Sequence, residues 1–418
     1  MSETDLRPPF LPADDDPAWE VVREPGLSLP QAAYTDPEVY RADLERIFHA
    51  GWLFATHSCE VRDPGQYVTV TVGRESVIVV RDRSGELRAH HNVCAHRGSR
   101  ITTDERGCAK LLVCPYHQWT YDLDGRLRSA RLMGEDFARA EHRLVPVAVR
   151  EVAGLVFLCL ADDPPPIDRF VADLVPQLGP HRLDATRVLA RDHYRVRANW
   201  KTLVENNREC YHCRGNHPEF SLSNFEYGTH GDVRVDPRYD AAVDAAHRRW
   251  ESLGLAPREV SFPGGSWYRI SRLPLRPGFV TESLDGRPVA PLLGDLTDPD
   301  VGSLRLVGLP NLWAHANGDY AMTTRLTPVD AATTDVEVTF LVRDDAPADL
   351  DPDAVAAVWR ATSEQDWELC ENNAAGIASR GYRPGPLSTV IEGSVGAFLD
   401  WYVEAMFRPG GRSRRRAG

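Results

Sequence analysis

Several things are missing from this chain of 418 residues. No apolar run approaches the ~20 residues that cross a bilayer. The opening Met1-Ser-Glu-Thr-Asp-Leu has neither the basic patch nor the apolar stretch of a secretory leader. A cytoplasmic protein without a membrane partner is expected. Positive charge is in deficit: 48 Lys and Arg face 61 Asp and Glu, and the formal net charge of −13 argues against a nucleic-acid partner. No Gly-x-Gly-x-x-Gly fingerprint occurs, so the chain brings no dinucleotide site of its own. Cysteine is scarce. The eight (Cys59, Cys94, Cys108, Cys114, Cys159, Cys210, Cys213, Cys370) are too scattered for a secreted disulfide framework. Cys108 and Cys159 read as small buried apolar residues.

What is present is concentrated. Cys94-Ala-His96-Arg-Gly98 and Cys114-Pro-Tyr-His117-Gln-Trp119 give two cysteines and two histidines in the order C-x-H, C-x-x-H. A Rieske [2Fe–2S] centre takes two thiolates on one iron and two imidazoles on the other. Two loops of this kind, each giving one Cys and one His, can close over one cluster. Gly98 and Pro115 suit the loop tips. A structural zinc site is the competing reading, but its usual order of two cysteines followed by two histidines does not match. Trp119-Thr-Tyr121 running into Asp124-Gly125 reads as a strand leaving the second loop.

Length predicts two or three domains. Residues 1–18, acidic and Pro-rich, read as a mobile tail. Asp36 to Gly51 reads as a helix with Thr35 as its cap, so that 1–51 forms a tail and helix packing with the larger C-terminal domain. Alternating apolar residues from Gln66 to Asp82, and again near 87–90 and 154–160, make 52–162 a small β domain carrying the cluster. Ala161-Asp-Asp-Pro-Pro-Pro166 is a linker. The remainder, 163–418, mixes a strand near 188–198, a helix from Asn199, strands within 303–344 and helices near 351–376 and 393–407. The fold class is α+β, with an antiparallel sheet and helices in the larger domain. Arg412-Ser-Arg-Arg-Arg416 reads as a solvated tail.

A second site opens that larger domain. On one helix Glu205, Glu209 and His212 fall at i, i+4 and i+7, hence on one face. Gly215 and Pro218 then break the helix and fold His217 back beside His212. Two histidines and a carboxylate on one side of a metal form the facial arrangement of non-haem Fe(II) that binds O2. Two ordinary histidines near a helix end are the bland alternative, weakened by the acids, tyrosine and cysteines crowded into the same turns.

Together, Cys94, His96, Cys114, His117 and Glu205-x3-Glu209-x2-His212-x4-His217 resemble the catalytic α subunit of the Rieske non-haem iron oxygenases, across nearly the whole chain. Longer strings resemble the subgroup that oxidises quaternary ammonium compounds (glycine betaine, choline, carnitine, stachydrine). These are Asn199-Trp-Lys, Glu209-Cys-Tyr-His-Cys213, Pro310-Asn-Leu-Trp313 and Glu364-Gln-Asp366-Trp. The resemblance implies His212, His217 and a distant carboxylate, Asp366, as ligands of the mononuclear iron, with Glu364, Glu368 and Glu371 close enough to compete. It makes Glu209 the bridge that passes electrons from the cluster of one subunit to the iron of the next, hence a homotrimer. Glu replaces the family's more usual Asp there, and Asn207-Arg208 replaces a hydrophobic or aromatic pair.

The implied chemistry is a multicomponent monooxygenase or dioxygenase that uses O2 and takes electrons from NAD(P)H through a separate flavin and iron–sulfur reductase. On a small N-methyl cation such as glycine betaine, hydroxylation gives a carbinolamine that sheds formaldehyde, a net N-demethylation. Tyr211, Trp267, Tyr268 and Trp313 are candidates to hold such a cation on aromatic faces. Hydroxylation of an aromatic or natural-product substrate is the alternative. A Rieske electron carrier without oxygenase activity is a third reading.

Overall fold

The computed structural model describes residues 21–225, 238–263 and 265–407; the two expected tails, 1–18 and 412–416, lie outside them. The chain enters through α1 (Gln31–Thr35) and α2 (Pro37–Asp43), the latter continued by a wider helical turn over Leu44–Phe48. Thr35 is not the cap. Its hydroxyl donates back to the Gln31 carbonyl, while Asp36 Oδ1 accepts the Glu38 N–H at 2.7 Å ahead of Pro37. Asp43 at the end of α2 is fully buried. There it pairs with Lys201, accepts Trp200 Nε1 at 3.0 Å and accepts the Tyr402 hydroxyl at 2.8 Å. An unpaired charge at that depth would cost several kcal/mol, so this pair fastens the N-terminal segment to the larger domain.

The small domain is mainly β, with two single 3-10 turns at Ser58–Val61 and Arg139–Glu141. Strands β1 (Trp52–His57), β2 (Gln66–Val72), β3 (Glu75–Arg81), β4 (Leu87–His91), β5 (Arg106–Cys108), β6 (Leu112–Val113), β7 (Thr120–Tyr121), β8 (Leu127–Ser129), β9 (Ala148–Val152) and β10 (Leu155–Cys159) form three antiparallel sheets: β4-β3-β2-β5, β6-β7-β8 and β1-β10-β9. Cys159 is buried as expected. Cys108 is exposed, because β5 is an edge strand paired only with β2.

After α3 (Asp168–Leu178) the larger domain is built on one seven-stranded antiparallel sheet. Its strands are β11 (Thr186–Val196), β12 (Val260–Ser261), β13 (Tyr268–Leu273), β14 (Ser303–Gly308), β15 (Leu312–Ala316), β16 (Ala321–Asp330) and β17 (Thr333–Arg343), in spatial order β11-β17-β16-β15-β14-β13-β12. Helices α4 (Trp200–Asn207), α5 (Cys213–Asn216), α6 (Pro218–Ser223), α7 (Arg238–Ser252), α8 (Pro352–Ile377) and α9 (Gly393–Phe407) complete it. Successive strand residues point to opposite faces, and here both faces are covered. Ile270, Leu304, Leu306 and Ala314 pack with α3 and with Phe54 and Phe157 of the small domain. Val307, Trp313, Met322 and Val338 pack with α8 and α9. Asn311, between β14 and β15, bonds both the N–H and the carbonyl of Phe54 at 2.9 Å, joining the domains backbone to side chain.

α4 carries a pH-sensitive contact. The Tyr34 hydroxyl donates to Glu205 at 2.8 Å, and burial pushes the Glu205 carboxyl up to about 7, against the opposing pull of Tyr34 and Lys201. A folded-state value above the unfolded one means that stability present at low pH is lost as pH rises through about 7. Glu205→Gln keeps an acceptor for Tyr34 without the charge. Its melting temperature should match wild type near pH 5 and exceed it at pH 8, a gain of about 1–3 kcal/mol, read from thermal melts at the two pH values.

Candidate functional site

The two ligand loops of the small domain repeat one backbone device. Gly98 N–H bonds the Cys94 carbonyl and Gln118 N–H bonds the Cys114 carbonyl, each at 3.0 Å, and both donors sit at positive φ, +76° and +61°. Gly98 is at home there; Gln118 carries no such sequence signal. Cys94 and Cys114 are buried, and the His96 and His117 rings lie 4.7 Å apart. Trp119 stacks on His96 with ring centroids 4.7 Å apart and planes 9° apart. Tyr121 Oη stands 3.2 Å from Cys94 Sγ and accepts the Ala95 N–H. His96 Nδ1 is buried without a hydrogen-bond partner. Two enclosed thiols facing two imidazoles, one with an orphaned nitrogen, fit a cluster held by Cys2His2 ligation. His117 is exposed at the loop tip beside Tyr116.

The second site departs from the single helix expected. Asn206-Asn207 are poor helix formers and α4 stops at Asn207, so Glu205 turns to Tyr34 while Glu209 and His212 share a tight turn. Glu209 Oε1 meets His212 Nδ1 at 2.6 Å, and its other oxygen accepts the Tyr211 N–H. A disulfide between Cys210 and Cys213 spans His212, so neither cysteine offers a thiolate to a metal. His217 stands between α5 and α6, freed from the helix by Pro218. Its Nδ1 meets Gln365 Oε1 at 2.8 Å, and Gln365 in turn donates to Glu219 at 3.0 Å. Gln365 and Glu219 went unassigned in the sequence; only the position of Gln365 next to Asp366 on α8 hinted at a role.

With both Nδ1 atoms held, both Nε2 atoms turn to Asp366. Its Oδ1 lies 3.2 Å from His212 Nε2 and 2.9 Å from His217 Nε2, while His217 Nε2 and Asp366 Oδ1 are buried with no hydrogen-bond partner. Two imidazole nitrogens about 3 Å from one carboxylate oxygen, with His217 Nε2 and Asp366 Oδ1 left orphaned, are a donor set that would suit a 2-His-1-carboxylate iron site. Burial would raise the Asp366 carboxyl, but His212 and His217 hold it below the ordinary range. The competing acids point elsewhere. Glu364 and Glu368 are exposed, and Glu371 binds Arg197 through contacts of 2.7–3.1 Å.

Beside the triad lies a cavity of about 120 Å³, well under the ~300–1,000 Å³ usual for drug-sized ligands. Its floor is alternate residues of the sheet: Arg269 and Ser271 on β13, Arg305 and Val307 on β14, Trp313 and His315 on β15. Trp313 is therefore placed at the cavity. Trp267 and Tyr268 are not: Tyr268 occupies the opposite phase of β13 and donates its hydroxyl to Asp173, and Trp267 packs against Phe157 and Phe170. Tyr211 is 58% exposed and lies outside the cavity lining. The aromatic rings that do line it with Trp313 are Phe220, Phe225 and Trp359.

Residues 51–148 match the Rieske [2Fe-2S] domain family, and residues 183–407 the catalytic domain of ring-hydroxylating alpha subunits. The chain is 44% identical to the glycine betaine monooxygenase oxygenase subunit of Chromohalobacter salexigens, over 92% of this chain and 87% of that one. It is 38% identical to the carnitine monooxygenase oxygenase subunit of Escherichia coli, over 56% and 61%. In fold it is similar to the quaternary ammonium Rieske monooxygenase CntA in complex with L-carnitine, with a TM-score of 0.69 at 24% identity over 94% of this chain and 99% of that one. Naphthalene 1,2-dioxygenase from Rhodococcus sp. gives a TM-score of 0.64 at 21% identity, over 91% and 94%.

Proposed function

Because this chain belongs to the Rieske ring-hydroxylating oxygenase alpha-subunit family, we propose that it is the oxygenase component of a monooxygenase that N-demethylates glycine betaine. The carrying observation is the set of three atoms, His212 Nε2, His217 Nε2 and Asp366 Oδ1, converging beside a small cavity lined by aromatic rings. Cys94, His96, Cys114 and His117 hold the [2Fe–2S] cluster; His212, His217 and Asp366 hold Fe(II). When bound, these groups supply single electrons and the activation of O2 for C–H oxidation.

The protein's own part is positioning. Glu209 and Gln365 fix the two imidazoles through Nδ1, so each Nε2 stays aimed at one point. Phe220, Trp313 and Trp359 exclude water, and the two indoles are the rings that would receive a methylated ammonium, since the Arg305 guanidinium already lies over the Phe220 ring. In net reaction, glycine betaine, O2, NAD(P)H and a proton give dimethylglycine, formaldehyde, NAD(P)+ and water. The reducing equivalents come from a separate flavin and iron–sulfur reductase. Glu209 lies in a surface depression of about 370 Å³ and His117 on an exposed loop tip. A head-to-tail ring, a homotrimer, lets one subunit's cluster meet the next subunit's Glu209.

The test is formaldehyde release with a surrogate reductase, over glycine betaine, carnitine, choline and aromatic acids. One formaldehyde per O2 consumed is expected with glycine betaine. Hydroxylated aromatic product with no formaldehyde from any N-methyl cation would overturn the reading.

A further inference from the structure

One charged side chain in the cavity has no counter-charge among the described residues. Arg208, the residue that ends α4, is 8% exposed and lines the cavity beside Arg269 and Arg305. A guanidinium carries five donors and keeps its charge. Among the described residues those of Arg208 find only the carbonyl and side-chain oxygens of the preceding residue, Asn207, and its Nε is buried without a partner. Among the described residues no carboxylate pairs with it. Its neighbours are differently placed: Arg269 bonds Glu259 and Ser394, each at 3.0 Å, and Arg305 bonds Asn224 with Glu282 at 4.0 Å. Both still have a buried Nε without a partner. Burial and the nearby Arg269 charge push Arg208 down to about 9, the signature of a cation in an uncompensated position.

A buried unpaired cation next to a second cation is costly, and an anion entering the cavity would offset that cost. The cavity's volume leaves room for a small one, and a guanidinium matches a carboxylate with two parallel hydrogen bonds. We propose that Arg208, supported by Arg269 and Arg305, binds the carboxylate of a zwitterionic substrate and so selects N-methyl amino acids over the corresponding amino alcohols. Trp313 and Trp359 in the same cavity then receive the ammonium end, while Phe220 lies under the Arg305 guanidinium. The selectivity half of this inference rests on the quaternary-amine reading above. The carboxylate half rests on Arg208 alone.

Anaerobic calorimetric titration of the metal-loaded protein separates the two. The ligands are glycine betaine, choline (same trimethylammonium, no carboxylate), 3,3-dimethylbutanoate (same shape and carboxylate, no cation) and salicylate. Wild type should bind glycine betaine far more tightly than choline. Arg208→Gln should weaken glycine betaine about 100-fold and leave choline unchanged, with Arg208→Lys in between. Glycine betaine bound by Arg208→Gln within about twofold of wild type, choline bound as tightly as betaine, or no carboxylate bound by wild type overturns the proposal. If 3,3-dimethylbutanoate or salicylate binds in an Arg208-dependent way and glycine betaine does not, the carboxylate site stands and the quaternary-amine reading falls. Retention of the third iron and an unchanged thermal melt of the larger domain report that each variant is folded, and Arg269→Gln with Arg208→Lys carries the comparison should Arg208→Gln fail to fold.

Discussion

Asp366→Ala should lose one of three irons per chain and keep the red-brown absorption of the cluster unchanged. The reason is geometric. Asp366 Oδ1 is the only acidic atom, among the described residues, set within about 3 Å of both His212 Nε2 and His217 Nε2. Without it two neutral imidazoles remain, and a site stripped of its anionic ligand holds Fe(II) poorly. Losing a directly bound ligand exceeds the 10–100-fold cost typical of a supporting partner, so the variant should be inactive. The cluster sits on a separate domain and shares no ligand with the triad. Iron analysis and visible spectroscopy on the same sample decide the matter. Three irons retained in Asp366→Ala would mean that the carboxylate ligand is elsewhere.

Glu209→Gln should do the opposite: three irons retained, normal cluster spectrum, turnover reduced by about 100-fold or more. Gln can still accept a bond from His212 Nδ1, so the ring keeps its aim, but the charge that ties the imidazole to an incoming cluster histidine is gone. Single-turnover kinetics expose the difference, because cluster oxidation after mixing with O2 and substrate should slow while iron content stays whole. Mixed oligomers sharpen the test. Subunits carrying Glu209→Gln, combined with subunits whose cluster is removed by Cys94→Ala, should regain part of their activity if electrons cross between subunits. Turnover close to wild type in Glu209→Gln would place the electron path elsewhere.

What could be read from sequence depended on range. The proposed cluster ligands occupy two boxes of a few residues, where local spacing is the geometry, and the fold repeats one turn at each box. His217 was legible because Pro218 cannot continue a helix through it. Asp366 is far along the chain and was reached through family resemblance; no local pattern separates it from Glu364 or Glu368. The single helix face for Glu205, Glu209 and His212 failed at Asn206-Asn207, where weak propensity let the turn at Glu209 win. Trp267 and Tyr268 failed for another reason. The sequence reading placed no strand over Tyr268–Leu273, so nothing separated the phase of Arg269 and Ser271, which looks into the cavity, from that of Tyr268, which does not. Gln365 and Glu219 owe their role to α8 packing on α6, a contact that no spacing encodes.

The cavity has a division of labour between its two sides. The proposed metal ligands and the groups that orient them come from α8 and the segment 209–219, whereas much of the opposite wall comes from alternate positions of three neighbouring strands. A strand residue can change without moving its neighbours' backbone, because the ladder of hydrogen bonds is indifferent to side-chain identity. Substrate preference in such an architecture can drift by single substitutions at positions such as 269, 305 or 313 while the iron site is inherited intact. Chains that share a ligand set should therefore differ first on those strands, and a directed-evolution library confined to them would explore new substrates with little risk to the metal centre.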